Sequence, residues 1–138
     1  MSDTAGVFHW SVRVYWEDTD AGGIVYYANY LKFFERARTE WLRARGVQQQ
    51  TLRQQTGGMF VVSQAHVNYL HSARLDDELL LTTTVTDMGR ASLILHQQAW
   101  RDQVDAPTLL CDARIHAAWV KATGKPARIP PELLQKLT

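Results

Sequence analysis

A single cysteine, Cys111, in 138 residues excludes an intrachain disulfide framework and fits a reducing compartment. Charge of neither sign predominates: 15 Lys and Arg against 14 Asp and Glu leave a formal net charge of +1. A dedicated nucleic-acid binder would carry a basic patch, and none stands out. No stretch approaches the ~18 consecutive apolar residues that a membrane span needs. Met1 to Val7 has no basic region followed by an apolar run, so no secretory leader is expected and a cytoplasmic location is. The five histidines, His9, His66, His71, His96 and His116, show no ligand spacing. With one cysteine and no His–Glu cluster, no metal site is expected. The chain also lacks a G-x-S-x-G elbow, a Walker loop and a dinucleotide glycine fingerprint. Serine-hydrolase chemistry is therefore disfavoured, and no cofactor is expected.

What is present is organised around one stretch, Val14 to Trp41. Phe8, Trp10, Val12, Val14 and Trp16 share one phase of a period-2 alternation, which predicts a strand. Asp18-Thr19-Asp20 breaks that pattern, and Gly22-Gly23 supplies the freedom for a sharp turn. A long helix follows, with Asn29 as its expected N-cap and Gly46 as its expected stop. Tyr30, Phe33, Phe34, Ala37, Trp41 and Ala44 fall on one stripe at ~100° per residue, widened by Leu31 and Leu42. So broad an apolar face needs a large sheet to cover it.

The remaining chain reads mostly as strands. Val47 to Thr56 is a short second helix or an extended loop, closed by Gly57-Gly58. Alternation then returns at Ala65 to Tyr69, Leu79 to Thr86 and, most clearly, Leu109 to Trp119. Asp87 to Arg90 reads as a hairpin turn into Ala91 to Arg101, whose phase is ambiguous; Asp102 to Pro107 reads as another turn. A helical turn is expected at Glu132 to Leu137. Length and pattern predict one domain over residues 1–138, of α+β class, with an antiparallel sheet and a helix on one face.

The run Asp18-Thr-Asp-Ala-Gly-Gly-Ile-Val-Tyr-Tyr-Ala-Asn-Tyr, with Phe34-Glu-Arg-Ala-Arg after it, resembles the signature of hotdog-fold acyl-CoA thioesterases. Ser72-Ala-Arg-Leu-Asp-Asp-Glu78 resembles the same family's turn between strands. The chain is similar in particular to the branch associated with the Tol-Pal cell-envelope system, and more widely to 4-hydroxybenzoyl-CoA thioesterases. That branch typically has His where this chain has Tyr27. The resemblance implies a long central helix wrapped by a curved antiparallel sheet of about five strands. It implies an acyl-CoA substrate, a homodimer or homotetramer, and acyl carrier protein or cell-envelope proteins as further partners. The inner-membrane surface would then be the place of action.

Site candidates follow from pattern and resemblance together. Hydrolysis of a thioester needs little more than a carboxylate and an oxyanion site. By pattern Asp20 either caps the turn or does chemistry; the resemblance makes it the catalytic carboxylate, as nucleophile or as general base. Asp18 is read as a turn or supporting residue. The turn from Gly22 to Tyr27, Gly23 included, is the candidate oxyanion site, and the resemblance points to the Tyr27 backbone N–H. Glu35 is a second helix carboxylate, read either as a site group or as an ion-pair partner of Arg38. Tyr30 is expected to line the pocket. Arg90 is a candidate for the coenzyme A phosphates, against the reading of a solvated turn arginine. The alternative function is an acyl-thioester-binding or scaffold protein of the cell-envelope machinery with weak hydrolysis.

Overall fold

The computed structural model describes residues 6–102 and 106–138. Strand β1 (Phe8–Arg13) leads through a 3₁₀ turn (Trp16–Asp18) and a loop into helix α1 (Asn29–Ala44). After α2 (Gln49–Thr56) come β2 (Gly58–Tyr69), β3 (Glu78–Met88), β4 (Ser92–Arg101) and β5 (Thr108–Lys121), then α3 (Pro131–Leu137). The five strands form one antiparallel sheet in the order β1-β3-β4-β5-β2. Helix α1 packs on β1, β3 and β4, the hotdog arrangement of the expected α+β class.

The first strand is shorter than its alternation predicts. Asp18 donates its N–H to the Tyr15 carbonyl at 3.0 Å and accepts the Tyr15 N–H on Oδ2 at 2.9 Å. That reciprocal pair tightens the chain into the 3₁₀ turn and leaves Trp16 78% exposed, out of the core phase it was read in. Asn29 is the first helical residue instead of the cap, with Ala28 before it. Gly46, at φ 79°, takes the left-handed position after Arg45 and ends the helix as expected.

The apolar stripe of α1 is buried through Tyr30, Phe33, Phe34, Ala37, Trp41 and Leu42. Ala44 and Leu31 are exposed, because the sheet covers only the middle of the stripe. Burying each of the two fully enclosed phenylalanines is worth roughly 1.5–3 kcal/mol. The ambiguous phase of β4 resolves with Leu93, Leu95, Gln97 and Ala99 facing inward. Gln97 hid that phase: it is a fully buried amide that donates to the Phe34 carbonyl at 3.0 Å and to Thr83 Oγ1 at 2.9 Å. Arg38 completes the group by donating to Gln97 Oε1 at 3.0 Å.

Strand β2 begins seven residues before the alternation at Ala65 suggests, directly after the Gly57 helix stop. It does not pair with β3, its successor in sequence, but lies at the far edge beside β5. Its inward row, Val62, Ala65, Val67 and Tyr69, stands opposite Ala117, Ile115, Ala113 and Cys111. Part of this row is uncovered, with Val62 48% and Tyr69 45% exposed. The turn expected at Asp102 to Pro107 lies partly outside the described residues, as do the first residues of the chain.

Candidate active site

The loop between the 3₁₀ turn and α1 is pinned at both ends and along its length. Thr19 bridges Val25, Ile24 bridges Arg74, and the Val25 N–H donates to the Ala73 carbonyl at 2.9 Å. Gly23 takes φ 80°, a conformation that costs an L side chain strain, and so reverses the chain within a few residues. Asp20 lies at the head of this turn and is exposed. Its Oδ1 accepts the Gly22 N–H at 2.9 Å and the Ile24 N–H at 3.4 Å. No partner of its Oδ2 is found among the described residues. The capping and the chemical readings of Asp20 are therefore compatible, with one oxygen for each.

The N–H groups of the turn over residues 22–27 are not equivalent. The Gly23 N–H is not available, because it donates to the Asp20 carbonyl at 3.0 Å. Gly23 shapes the loop by its backbone conformation and is not a free donor. The Tyr26 N–H donates to the Asp18 carbonyl at 3.0 Å and the Asn29 N–H to the Tyr26 carbonyl at 2.8 Å. Between them, the N–H groups of Tyr27 and Ala28 have no acceptor among the described residues. They stand at the start of α1, where the helix contributes partial positive charge. The Ala28 N–H carried no sequence signal, since a backbone donor leaves none in residue type.

Around this point lies an aromatic cluster. Tyr27 packs on Tyr26 with ring centroids 4.8 Å apart and meets Tyr69 edge-on at 6.0 Å. Tyr69 is 5.7 Å from Tyr30, which is itself edge-on to Phe33 at 6.1 Å. Tyr30 is buried and accepts the Ala73 N–H on its hydroxyl at 3.2 Å, so it underlies the cluster. Burial pushes the Tyr30 and Tyr69 phenols up, and the hydrogen bond with Tyr27 pushes Tyr26 up. These three phenols are accordingly neutral hydroxyls near pH 7. Tyr69 is an addition of the structure; its place at the end of an inward-facing strand phase was the available clue.

Two candidates lie apart from Asp20. Glu35 accepts the Thr39 hydroxyl at 2.6 Å and not the Arg38 guanidinium, which turns inward to Gln97. It lines a cleft of about 220 Å³ between α1 and the start of β2, with Arg38, Phe60, Val62, Leu93 and Leu95. Arg90 is exposed in the β3–β4 hairpin, where its carbonyl accepts the Ile129 N–H at 2.8 Å. The Asp20 loop is anchored near the other end of β3, through Arg74 and the Val14–Asp77 hydrogen bond. The 11 residues of β3 span about 33 Å, so one chain does not bring Arg90 beside Asp20.

Among the described residues no group of three or more His, Cys, Asp or Glu side chains could hold a metal ion. What the loop offers instead is an accessible carboxylate oxygen at Asp20 and, further along the same loop, two backbone donors at Tyr27 and Ala28. That set suits attack on an acyl carbonyl and stabilisation of the resulting oxyanion.

Residues 14–137 match the family model described as the thioesterase-like superfamily. A relative from Haemophilus influenzae, named acyl-CoA thioesterase YbgC, is 42% identical over 127 residues, covering 91% of this chain and 90% of the relative. A relative from Escherichia coli O6:H1, named acyl-CoA thioester hydrolase YbgC, is 44% identical over 131 residues, covering 94% and 91%. A solved mutant of 4-hydroxybenzoyl-CoA thioesterase in complex with 4-hydroxybenzoyl-CoA superposes with a TM-score of 0.90 at 17% identity, covering 97% of this chain and 100% of that one. At that identity the likeness bears on the fold alone.

Proposed function

This chain belongs to the thioesterase-like superfamily, and we propose that it hydrolyses acyl-CoA thioesters to the free acid and coenzyme A without a cofactor. The names carried by the two YbgC relatives support the reaction and the substrate class. The observation that carries the mechanism is the divided Asp20 carboxylate, with Oδ1 bracing the turn and Oδ2 open. As general base, Asp20 takes a proton from water as the oxygen adds to the thioester carbonyl. As nucleophile, it adds directly to give an acyl-enzyme anhydride that water then cleaves. On either route the Tyr27 N–H, with Ala28 beside it, receives the developing oxyanion. Collapse then expels the coenzyme A thiolate.

The direct test is a panel of acyl-CoAs with release of free thiol as the readout. Burial pushes the Cys111 thiol up to about 12, so the folded protein contributes no reactive thiol of its own near neutral pH. No thiol release from any acyl-CoA by the folded protein would remove the proposal.

The sheet edge supports an oligomer. Among the described residues the 12-residue strand β2 has no strand paired on its outer side, with an apolar inward row partly uncovered, and an open edge of that length invites pairing. Antiparallel pairing of two β2 edges would set the Asp20 end of one copy level with the Arg90 end of the other. A phosphate handle too distant within one chain would thereby be supplied across the interface. Sedimentation is expected to give a dimer or tetramer; a folded, active monomer at micromolar concentration is the contrary result. Arg90→Ala should raise KM for acyl-CoA with kcat little changed, since such a handle holds ground and transition states alike. An unchanged KM at low ionic strength would remove Arg90 from the site.

Tyr27 contributes through its backbone, so its side chain should matter little. Tyr27→Phe is expected to cost less than about tenfold in kcat/KM, against the ~10²-fold or more of a lost oxyanion donor. Tyr27→His should add an inflection near pH ~6.5 that the native profile lacks. A native inflection at that pH, or a loss above about 10²-fold in folded Tyr27→Phe, would assign the phenol a proton-transfer role instead.

A further inference from the structure

Among the described residues the buried polar or charged side chains are Asp18, Asn29, Thr83 and Gln97. They form two pairs. Gln97 and Thr83 bond to each other within the sheet, beneath α1. Asn29 Nδ2 donates to Asp18 Oδ1 at 2.9 Å, at the root of the loop that carries Asp20. We propose that Asp18 and Asn29 are positioning residues, whose bond holds Asp20 and the Tyr27 N–H in register with each other. The inference rests on the catalytic reading of that carboxylate and that N–H.

Asp18 closes the loop with three separate atoms. Oδ2 accepts the Tyr15 N–H at 2.9 Å and fixes the 3₁₀ turn that leads into Asp20. Oδ1 accepts the Asn29 amide, and the main-chain carbonyl accepts the Tyr26 N–H at 3.0 Å. Asp20 is two residues beyond Asp18 in sequence, and the free Tyr27 N–H is one residue beyond the Tyr26 anchor. A shift of Asp18 therefore displaces both reacting groups together. Ala28 offers no side-chain cap to α1, and the Asp18 carboxylate supplies the anionic group at that helix start from 11 residues upstream. A side-chain tether over such a distance joins the first residue of the helix to the acid-bearing turn, which a local serine or asparagine cap would not do. Both side chains are almost fully enclosed, at 3% and 6% exposure, so water does not readily replace the bond.

The test uses the direction of the hydrogen bond. After Asp18→Asn, the new amide can donate to Asn29 once Asn29 turns its own amide to offer oxygen, so kcat should stay within about fivefold. After Asn29→Asp, two acceptors face each other, and kcat should fall about 10²-fold while KM stays within about twofold. The reciprocal double variant, Asp18→Asn with Asn29→Asp, restores a donor–acceptor pair in the opposite sense and should recover kcat to within about fivefold of native. A folded Asn29→Asp variant with native kcat would overturn the proposal, as would a folded double variant as slow as the single. If Asn29→Asp does not fold, Asn29→Ala takes its place, with an expected loss of about tenfold in kcat; native kcat there counts against the pair equally. Asp20→Asn is measured alongside to separate the two claims. Should that variant keep its rate, the catalytic reading falls and the clamp is judged by amide hydrogen exchange. Asn29→Ala should then speed exchange at Tyr15 and Tyr26, whose N–H groups bond to Asp18, about tenfold relative to the middle of α1, and unchanged exchange overturns it.

Discussion

Asp20→Asn is expected to lower kcat by about 10²–10⁴-fold on the best acyl-CoA while leaving the fold intact. The substitution keeps an oxygen to accept the Gly22 N–H, so the turn retains its brace. What it removes is the basicity or nucleophilicity of the open oxygen. A retained Tm together with lost turnover is the pattern that separates chemistry from turn capping. Glu35→Gln should cost far less, because that carboxylate is bound to Thr39, about one helical turn further along α1. Near-native kcat in Asp20→Asn would sink the assignment outright.

The largest expected loss of stability comes from a residue with no part in the chemistry. A Cβ added at Gly58 would lie 2.4 Å from Trp119 Cζ2 and 2.6 Å from Cε2, well inside any normal carbon contact. Trp119 is buried and edge-packed on Phe60 at 5.0 Å, so its indole cannot swing aside. Gly58 and Phe60 both belong to the start of β2, and Phe60 stands directly opposite Trp119 in the ladder. Gly58→Ala should therefore destabilise by about 3 kcal/mol, the upper end of ordinary overpacking. Thermal unfolding should show a fall in Tm on the order of 10 °C. Trp119→Leu in the same chain makes room, so the double variant should lose much less than the sum of the singles. Strict additivity, or a Gly58→Ala variant with unchanged Tm, would contradict the packing argument.

Much of this architecture was legible from residue order. The glycines at 46 and 57 end their helices as read, and the stripe from Tyr30 to Trp41 faces the sheet. The failures share a cause: a local pattern was overruled by a partner distant in sequence. Trp16 kept the strand phase in sequence, but Asp18 folds the chain back on Tyr15 before that phase can continue. Asn29 has the chemistry of a cap, yet Asp18 claims its amide from inside the helix. Gln97 broke the alternation of β4 because it is an inward polar group, satisfied by Phe34 and Thr83 from two other elements. In the candidate site, Asp20 could be named from sequence because the part proposed for it is played by a side chain. Backbone donors leave no such mark, and Gly23 and Tyr27 could be sorted only once the acceptors of their N–H groups were known.

The open N–H of Tyr27 has one more implication. Every amino acid except proline carries the same main-chain donor, so inheritance can alter the side chain there without erasing the oxyanion contact proposed for it. The ring packed against Tyr26 and Tyr69 is thus a part that can drift, changing the shape and polarity of the surface around that N–H while the donor itself stays in place. Descendants of one ancestral loop could diverge in the acids they release through this position before any of them lost the ability to release one.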